Sequence, residues 1–168
     1  MPQFLPAAAG RAARPPGGSV LHVPIVEQSR AHCGQAALEM VLRYYDAPPA
    51  ALLETASAYD SVLRGSLITD LAAAARRAGY SATIATLSAD SLIALLGAGV
   101  PPIVLYQNGR APFTVPHFGV LTGWDAARGK FTLNDGRAQA HEIGHDALLK
   151  RWRTAGSQAL IVQRRSQP

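Results

Sequence analysis

The sequence predicts an α+β fold on three observations. Apolar residues recur at helical spacing through most of the first half of the chain, and short strand-like apolar runs separated by turn residues fill the second half. The two kinds of pattern are largely segregated, which points to an antiparallel sheet, read as a meander with the helices packed against one face. A length of 168 residues and a hydrophobic content of 48% suit one domain that buries its core without disulfides or metals.

Residues 1–20, MPQFLPAAAGRAARPPGGSV, hold no continuous apolar run behind a basic start and read as a flexible leader, leaving 21–168 as a single domain. From Cys33 to Tyr45, Ala36, Ala37, Met40, Val41 and Tyr44 recur at helical spacing until DAPP stops the pattern. A second helix is expected over Ala50 to Ala58, and a third over GSLITDLAAAARRAG, closed by Gly79. YSATIAT alternates as a strand, after which Ser88 is placed to cap a fourth helix, ADSLIALLGAG. From Pro102 onward PIVLYQ, HFGVLTGW, KFTLND, AQAHEI and QALIVQ read as strands, with a turn at DAARGK and a short helix at HDALLKRW.

The net charge of +5 is scattered in short groups such as Arg76-Arg77 and Arg164-Arg165, with no basic run interleaved with aromatics. Nucleic acid is therefore not the expected partner. Cys33 is the only cysteine, which excludes an internal disulfide and a multi-thiolate metal site. No apolar run reaches the roughly 18 residues of a membrane span. With no signal peptide evident, the cytoplasm is the default expectation, with the bacterial cell envelope kept as the alternative.

His141-Glu142-Ile143-Gly144-His145 matches the zinc-peptidase signature H-E-x-x-H letter for letter. That site requires one continuous helix that turns both histidines toward one metal. QAHEI alternates like a strand, Gly144 is a poor helix-interior residue, and His145-Asp146 suits a helix start. A strand end followed by a helix is preferred, with zinc kept as a minor alternative.

Cys33 stands where a loop enters the first predicted helix, and unpaired backbone N–H groups and the helix dipole favour a thiolate there. Alone, such a cysteine is more often a small buried residue. Its neighbours change the reading. Gly34 leaves room for a substrate backbone, and Gln28, on the same loop, is a neutral donor able to face an oxyanion. His117 and Asp135 fall on strands expected to be adjacent, as a general base and its orienting carboxylate require. Asn134 competes for the orienting role. His32 adjoins Cys33 but should point away from it, and His22 is expected to be solvated.

QSRAHCGQAALEMVL, GSLITDLAAAARRAGYSATI, PPIVLY and PHFGVLTGWDAARGKFTLNDG together resemble the bacteriocin-processing, double-glycine leader peptidases of the papain-like cysteine peptidase superfamily, and their stand-alone relatives, over about residues 23–163. The resemblance implies a papain-like fold with N-terminal helices on an antiparallel sheet. It implies a peptidase working through a thioester, without cofactor or metal. Cys33 would be the nucleophile, His117 the general base and acid, Asp135 the residue orienting His117, and Gln28 the oxyanion donor. The substrate would be a peptide or protein cut after small residues such as Gly-Gly, and any export transporter would be a separate partner. The alternative is a catalytically idle domain of the same fold that binds a leader or export signal.

Overall fold

The computed structural model describes residues 18, 20–27 and 29–166; most of the expected leader and the candidate donor Gln28 lie outside the described residues. A 3₁₀ turn at Arg30–His32 enters α1 (Cys33–Tyr44), whose Ala36, Ala37, Met40 and Val41 are buried together with Leu38 and Leu42. Helix α2 (Pro49–Leu53) starts on a proline, whose fixed φ suits a first helical position, and runs directly into a 3₁₀ segment at Glu54–Ala58. The second expected helix is therefore one segment that tightens its pitch. After a loop bridged at Asp60 and Gly65, α3 (Ile68–Arg77) ends at Gly79 with φ +95° and packs on β1 (Tyr80–Thr86). Ser88 accepts from the Ser91 N–H at 3.2 Å to cap α4 (Ala89–Gly97).

The remaining elements are β2 (Ile103–Arg110), β3 (Phe113–Asp125), β4 (Lys130–Asn134), β5 (His141–Gly144), α5 (His145–Thr154) and β6 (Gln158–Arg164). Among the described residues, six strands make one antiparallel sheet in the order β1-β6-β2-β3-β4-β5. Strands β2 to β5 form the expected meander, but β6 returns to insert between β1 and β2.

The helices cover both faces of the sheet rather than one. Consecutive residues His117 to Gly123 of β3 and Ala159 to Val162 of β6 are buried, which a sheet with one wet face does not allow. Phe118 of β3 meets Gly34 of α1 on one side. Strand β2, which pairs with β3, packs against α5. The HDALLKRW segment supplies that second cover through buried Leu148, Leu149 and Trp152, the indole N–H of Trp152 donating to the Gln158 carbonyl at 2.8 Å.

Ahead of α1 the chain runs along β3. Leu21 N–H donates to the Thr122 carbonyl at 2.6 Å, Asn134 Nδ2 donates to the Val23 carbonyl at 3.3 Å, and both Leu21 and Val23 are buried. This strap fixes the start of the loop that leads to Cys33. A Cβ at Gly119 would lie 2.8 Å from Leu133 Cδ1 and 3.2 Å from Tyr106 Cε1. Gly119→Ala is therefore expected to cost about 1–3 kcal/mol, read as a lower urea midpoint at unchanged m value. An unchanged midpoint would contradict the close approach of β3 to its neighbours.

Candidate active site

Cys33 is the first residue of α1, and no side chain caps that helix end. First-turn N–H groups are thus left pointing toward the thiol. Gly34 follows in a crowded place: a Cβ there would stand 2.8 Å from Ser66 Cβ, 3.1 Å from Ser66 Oγ and 3.2 Å from Phe118 Cδ2. Glycine is needed for the helix start to touch both the 60–67 loop and β3. His117 sits where β3 passes from exposed to buried residues, is itself 6% exposed, and has the Tyr106 ring edge-on at 5.6 Å between centroids.

Cys33 and His117 lie near enough for each to act on the other's proton affinity. The His117 Nε2–H donates to the backbone carbonyl of Asp135 at 2.9 Å. A carbonyl can only accept, so Nε2 carries the proton and Nδ1 is the nitrogen left for the sulfur. Burial pushes the thiol up, but the His117 hydrogen bond, the backbone N–H of Phe118, the imidazolium charge and the backbone N–H of Gly34 outweigh it, and the thiol lies below its ordinary value. Burial pushes His117 down, and the hydrogen bond and charge of Cys33, the Asp135 carbonyl and the Asp135 charge more than reverse this. The two groups favour each other's charged form, a thiolate beside an imidazolium.

Asp135 reaches His117 through its main chain, whereas the sequence reading gave that role to its carboxylate. The side chain is 2% exposed and turned aside: Arg137 Nε lies 3.2 Å from Oδ2, the Arg137 N–H donates to Oδ1 at 3.4 Å, and His141 Nδ1 lies 3.8 Å from Oδ1. The adjacent guanidinium competes successfully for the carboxylate, and a chain leaving β4 can present its carbonyl to His117 instead. Asn134 holds Val23 and does not meet His117. His32 donates from Nδ1 to Gln35 Oε1 at 2.6 Å and stacks on Tyr59, away from the thiol. His22 is exposed.

The zinc alternative does not survive the geometry. His141 and Glu142 lie in strand β5, and His145 opens α5, so the two histidines do not share a helix. Glu142 is engaged by both guanidinium nitrogens of Arg128 and by Lys130, which holds its carboxyl below the usual range. His145 contacts Asp146 and stacks on Phe131. Among the described residues no three His, Cys, Asp or Glu side chains form a metal-sized group.

Sequence reasoning missed three neighbours of the site. Ser66 Oγ and Tyr106 Oη are buried without a hydrogen-bond partner among the described residues, and Arg137 holds the Asp135 carboxylate. His141 was singled out for the wrong chemistry. It pairs across the ladder with Leu133, two residues before Asp135, so strand register alone would have put it beside that carboxylate.

This combination of helix-borne thiol and strand-borne imidazole on a mixed α+β scaffold is the fold of papain-like peptidase domains. The chain belongs to the Peptidase_C39-like family, whose model matches residues 20–160. Among solved structures, it is similar to a double glycine motif protease from an AMS/PCAT transporter in complex with the leader peptide (24% identity, 87% of this chain and 94% of that one, TM-score 0.67). It is also similar to the peptidase domain of Streptococcus ComA, a bifunctional ABC transporter of a quorum-sensing pathway (18%, 86% and 100%, 0.68). A third likeness is to a C39-like peptidase from Bacillus anthracis (17%, 89% and 99%, 0.70). At these identities the likeness concerns the fold. No curated protein sequence matches the chain.

Because His141 and Glu142 lie in β5, with Glu142 held by Arg128 and Lys130, while His145 opens α5 beside Asp146, chelation with EDTA is expected to leave the unfolding midpoint unchanged. Elemental analysis should find no stoichiometric zinc in wild type that the His141→Ala, His145→Ala chain lacks. A stoichiometric zinc lost in that variant, with the midpoint falling alongside, would restore the metal reading.

Proposed function

We propose that this protein is a cysteine peptidase that cleaves after small residues, with Cys33 as nucleophile, His117 as general base and acid, Asp135 as the residue holding His117, and Gln28 as oxyanion donor. The observation that carries the reading is the juxtaposition of Cys33, at the first position of α1, with the buried His117 of β3, each favouring the other's charged form. A merely structural cysteine has no need of such a partner.

In the reaction, the Cys33 thiolate attacks the scissile carbonyl while imidazolium stands by. The Cys33 backbone N–H and the Gln28 amide stabilise the oxyanion. His117 passes its Nδ1 proton to the departing amine, leaving a thioester. Water then attacks the thioester, giving its proton to His117, and the acid is released with the thiol restored. Throughout, the Asp135 carbonyl keeps the ring from turning. A preference for glycine on the acyl side agrees with the crowding of Gly34 by Ser66 and Phe118, and with the double glycine motif named for one structural relative. The exposed apolar side chains Val62, Leu63 and Leu67, on the loop that carries Ser66, offer a peptide an apolar rim close by.

An ordinary thiol titrates near 8.5 and alkylates slowly at pH 6. Here the thiol lies below and the imidazole above its ordinary value, so thiolate is present at lower pH than usual, while peptide turnover, which also needs His117 as an acid, falls on the alkaline side as His117 loses its proton. Rapid iodoacetamide labelling of Cys33 at pH 6 is expected, with the profile moving upward in His117→Ala because burial is then opposed only by the Phe118 and Gly34 N–H groups. Identical profiles in the two proteins would instead favour the idle, leader-binding domain.

Gln28→Ala should leave labelling unchanged and lower peptide turnover about a hundredfold. Asp135→Asn keeps the carbonyl but removes a charge that raises His117, so the alkaline limb of turnover should move to lower pH while the maximum falls modestly. A maximum lost as completely as in His117→Ala would mean that the carboxylate itself holds the ring.

A further inference from the structure

We propose that His141 is a positioning residue of the peptidase site: as a neutral ring with its proton on Nδ1, it supports the Asp135 carboxylate and so keeps the Asp135 carbonyl on His117. The role rests on the peptidase reading above. It gives a task to a histidine that the zinc signature singled out and the reaction did not use.

The ladder between β3 and β4 ends at Asn134, so the next peptide is oriented by whatever anchors the Asp135 side chain. That peptide carries the carbonyl that accepts from His117. Two groups approach the buried carboxylate. Arg137 is largely exposed, and water competes with its guanidinium. His141 stands on the other oxygen, Nδ1 being 3.8 Å from Oδ1. This nitrogen is buried and has no hydrogen-bond partner among the described residues. A buried N–H without an acceptor is costly, and Oδ1 is about 0.8 Å beyond an ordinary N–H···O bond, a gap that a small turn of either side chain closes.

Strand register explains why the ring is there. His141 pairs with Leu133 and shares its face of the sheet, and alternation sends Glu142 to the opposite face. There Arg128 at 2.7 Å and Lys130 at 3.3 Å grip Glu142, which pins the short strand β5 with His141 turned inward. On the inward face the Tyr106 ring crosses β3 toward β4, since a Cβ on Gly119 would meet both Tyr106 Cε1 and Leu133 Cδ1.

The surrounding charges keep His141 a donor. Burial and the charges of Arg137 and Arg151 hold it below its ordinary value against the pull of Asp135. Burial and the Asp135 charge push the Tyr106 hydroxyl up. At neutral pH both groups are uncharged, and His141 acts through its N–H.

NMR of the imidazole nitrogens of the full chain reads the tautomer at neutral pH, where His141 is expected with its proton on Nδ1. Kinetics on a Gly-Gly peptide then separate support from packing. His141→Leu, without the donor, should lower kcat about two- to tenfold at unchanged KM. Its alkaline limb should move to lower pH, because a loosened Asp135 raises His117 less. His141→Asn, whose amide places an N–H near the position of Nδ1, should restore most of both. In an Asp135→Asn background His141→Leu should add little, the carboxylate it supports being gone. Four results overturn the role: a proton on Nε2, a Leu variant with wild-type turnover and pH profile, equal damage from Leu and Asn, or full additivity with Asp135→Asn. The tautomer is read on wild type and decides even where a variant fails to fold. An Nε2 tautomer in an active wild type removes this role alone. An ordinary thiol pH profile with no peptide cleavage removes the peptidase reading and the role with it.

Discussion

The first turn of α1 approaches Ser66 and Phe118 so closely that a Cβ on Gly34 would lie 2.8 Å from the one and 3.2 Å from the other. Cys33 is the residue before Gly34, and His117 is the residue before Phe118. The contact between a helix start and a strand therefore sets the distance between thiol and imidazole, and backbone packing sets it more stiffly than side-chain rotamers could. The strap from Val20 to Val23, tied to Thr122 and Asn134, delivers the chain to this point from the other end of β3. Fold and site thus share one steric requirement.

Electrostatics then act on groups that packing has already brought together. Burial opposes the charge on both Cys33 and His117, and it is the largest influence on each. Their mutual attraction, helped by the Phe118 and Gly34 N–H groups on one side and by Asp135 on the other, overcomes it, so the shifted proton affinities belong to the pair and its surroundings. Asp135 serves in two ways that chemistry usually assigns to one atom. Its carbonyl fixes the imidazole tautomer, and its carboxylate, clasped by Arg137, contributes charge from the side. Arg137 is 62% exposed, which leaves that clasp in contact with solvent at the lip of the site.

The elements legible in the sequence were those whose pattern is local. Helical spacing from Cys33, the Ser88 cap, the Gly79 stop and the strand alternation of QAHEI all depend on neighbours within a few residues, and each corresponds to an element of the structure. The reading lost accuracy where partners are distant in sequence. The apolar stripe of Leu148, Leu149 and Trp152 was visible as a helix, but nothing local says that it closes the second face of the sheet. Cys33 and His117 could be singled out by residue type and placement. That Asp135 would offer its carbonyl could not, because the deciding competitor, Arg137, acts through a turn geometry that the sequence does not encode in any periodic signal. The HEIGH motif misled for the opposite reason: its letters are local, while its meaning requires a helix that the pairing of β5 with β4 forbids.

The insertion of β6 between β1 and β2 bears on how the protein comes into being during translation. A ribosome releases the chain from the N-terminus at about 5–20 residues per second. Strands β2 to β5 can pair as they emerge, but β1 waits beside an empty place until residues 158–164 are made. Until then two strand edges stand open and the central sheet is in two pieces, a late, non-local closure of the kind that slows folding. A nascent chain consequently holds Cys33 long before it holds a finished scaffold, and the last strand acts as the keystone that ends this interval.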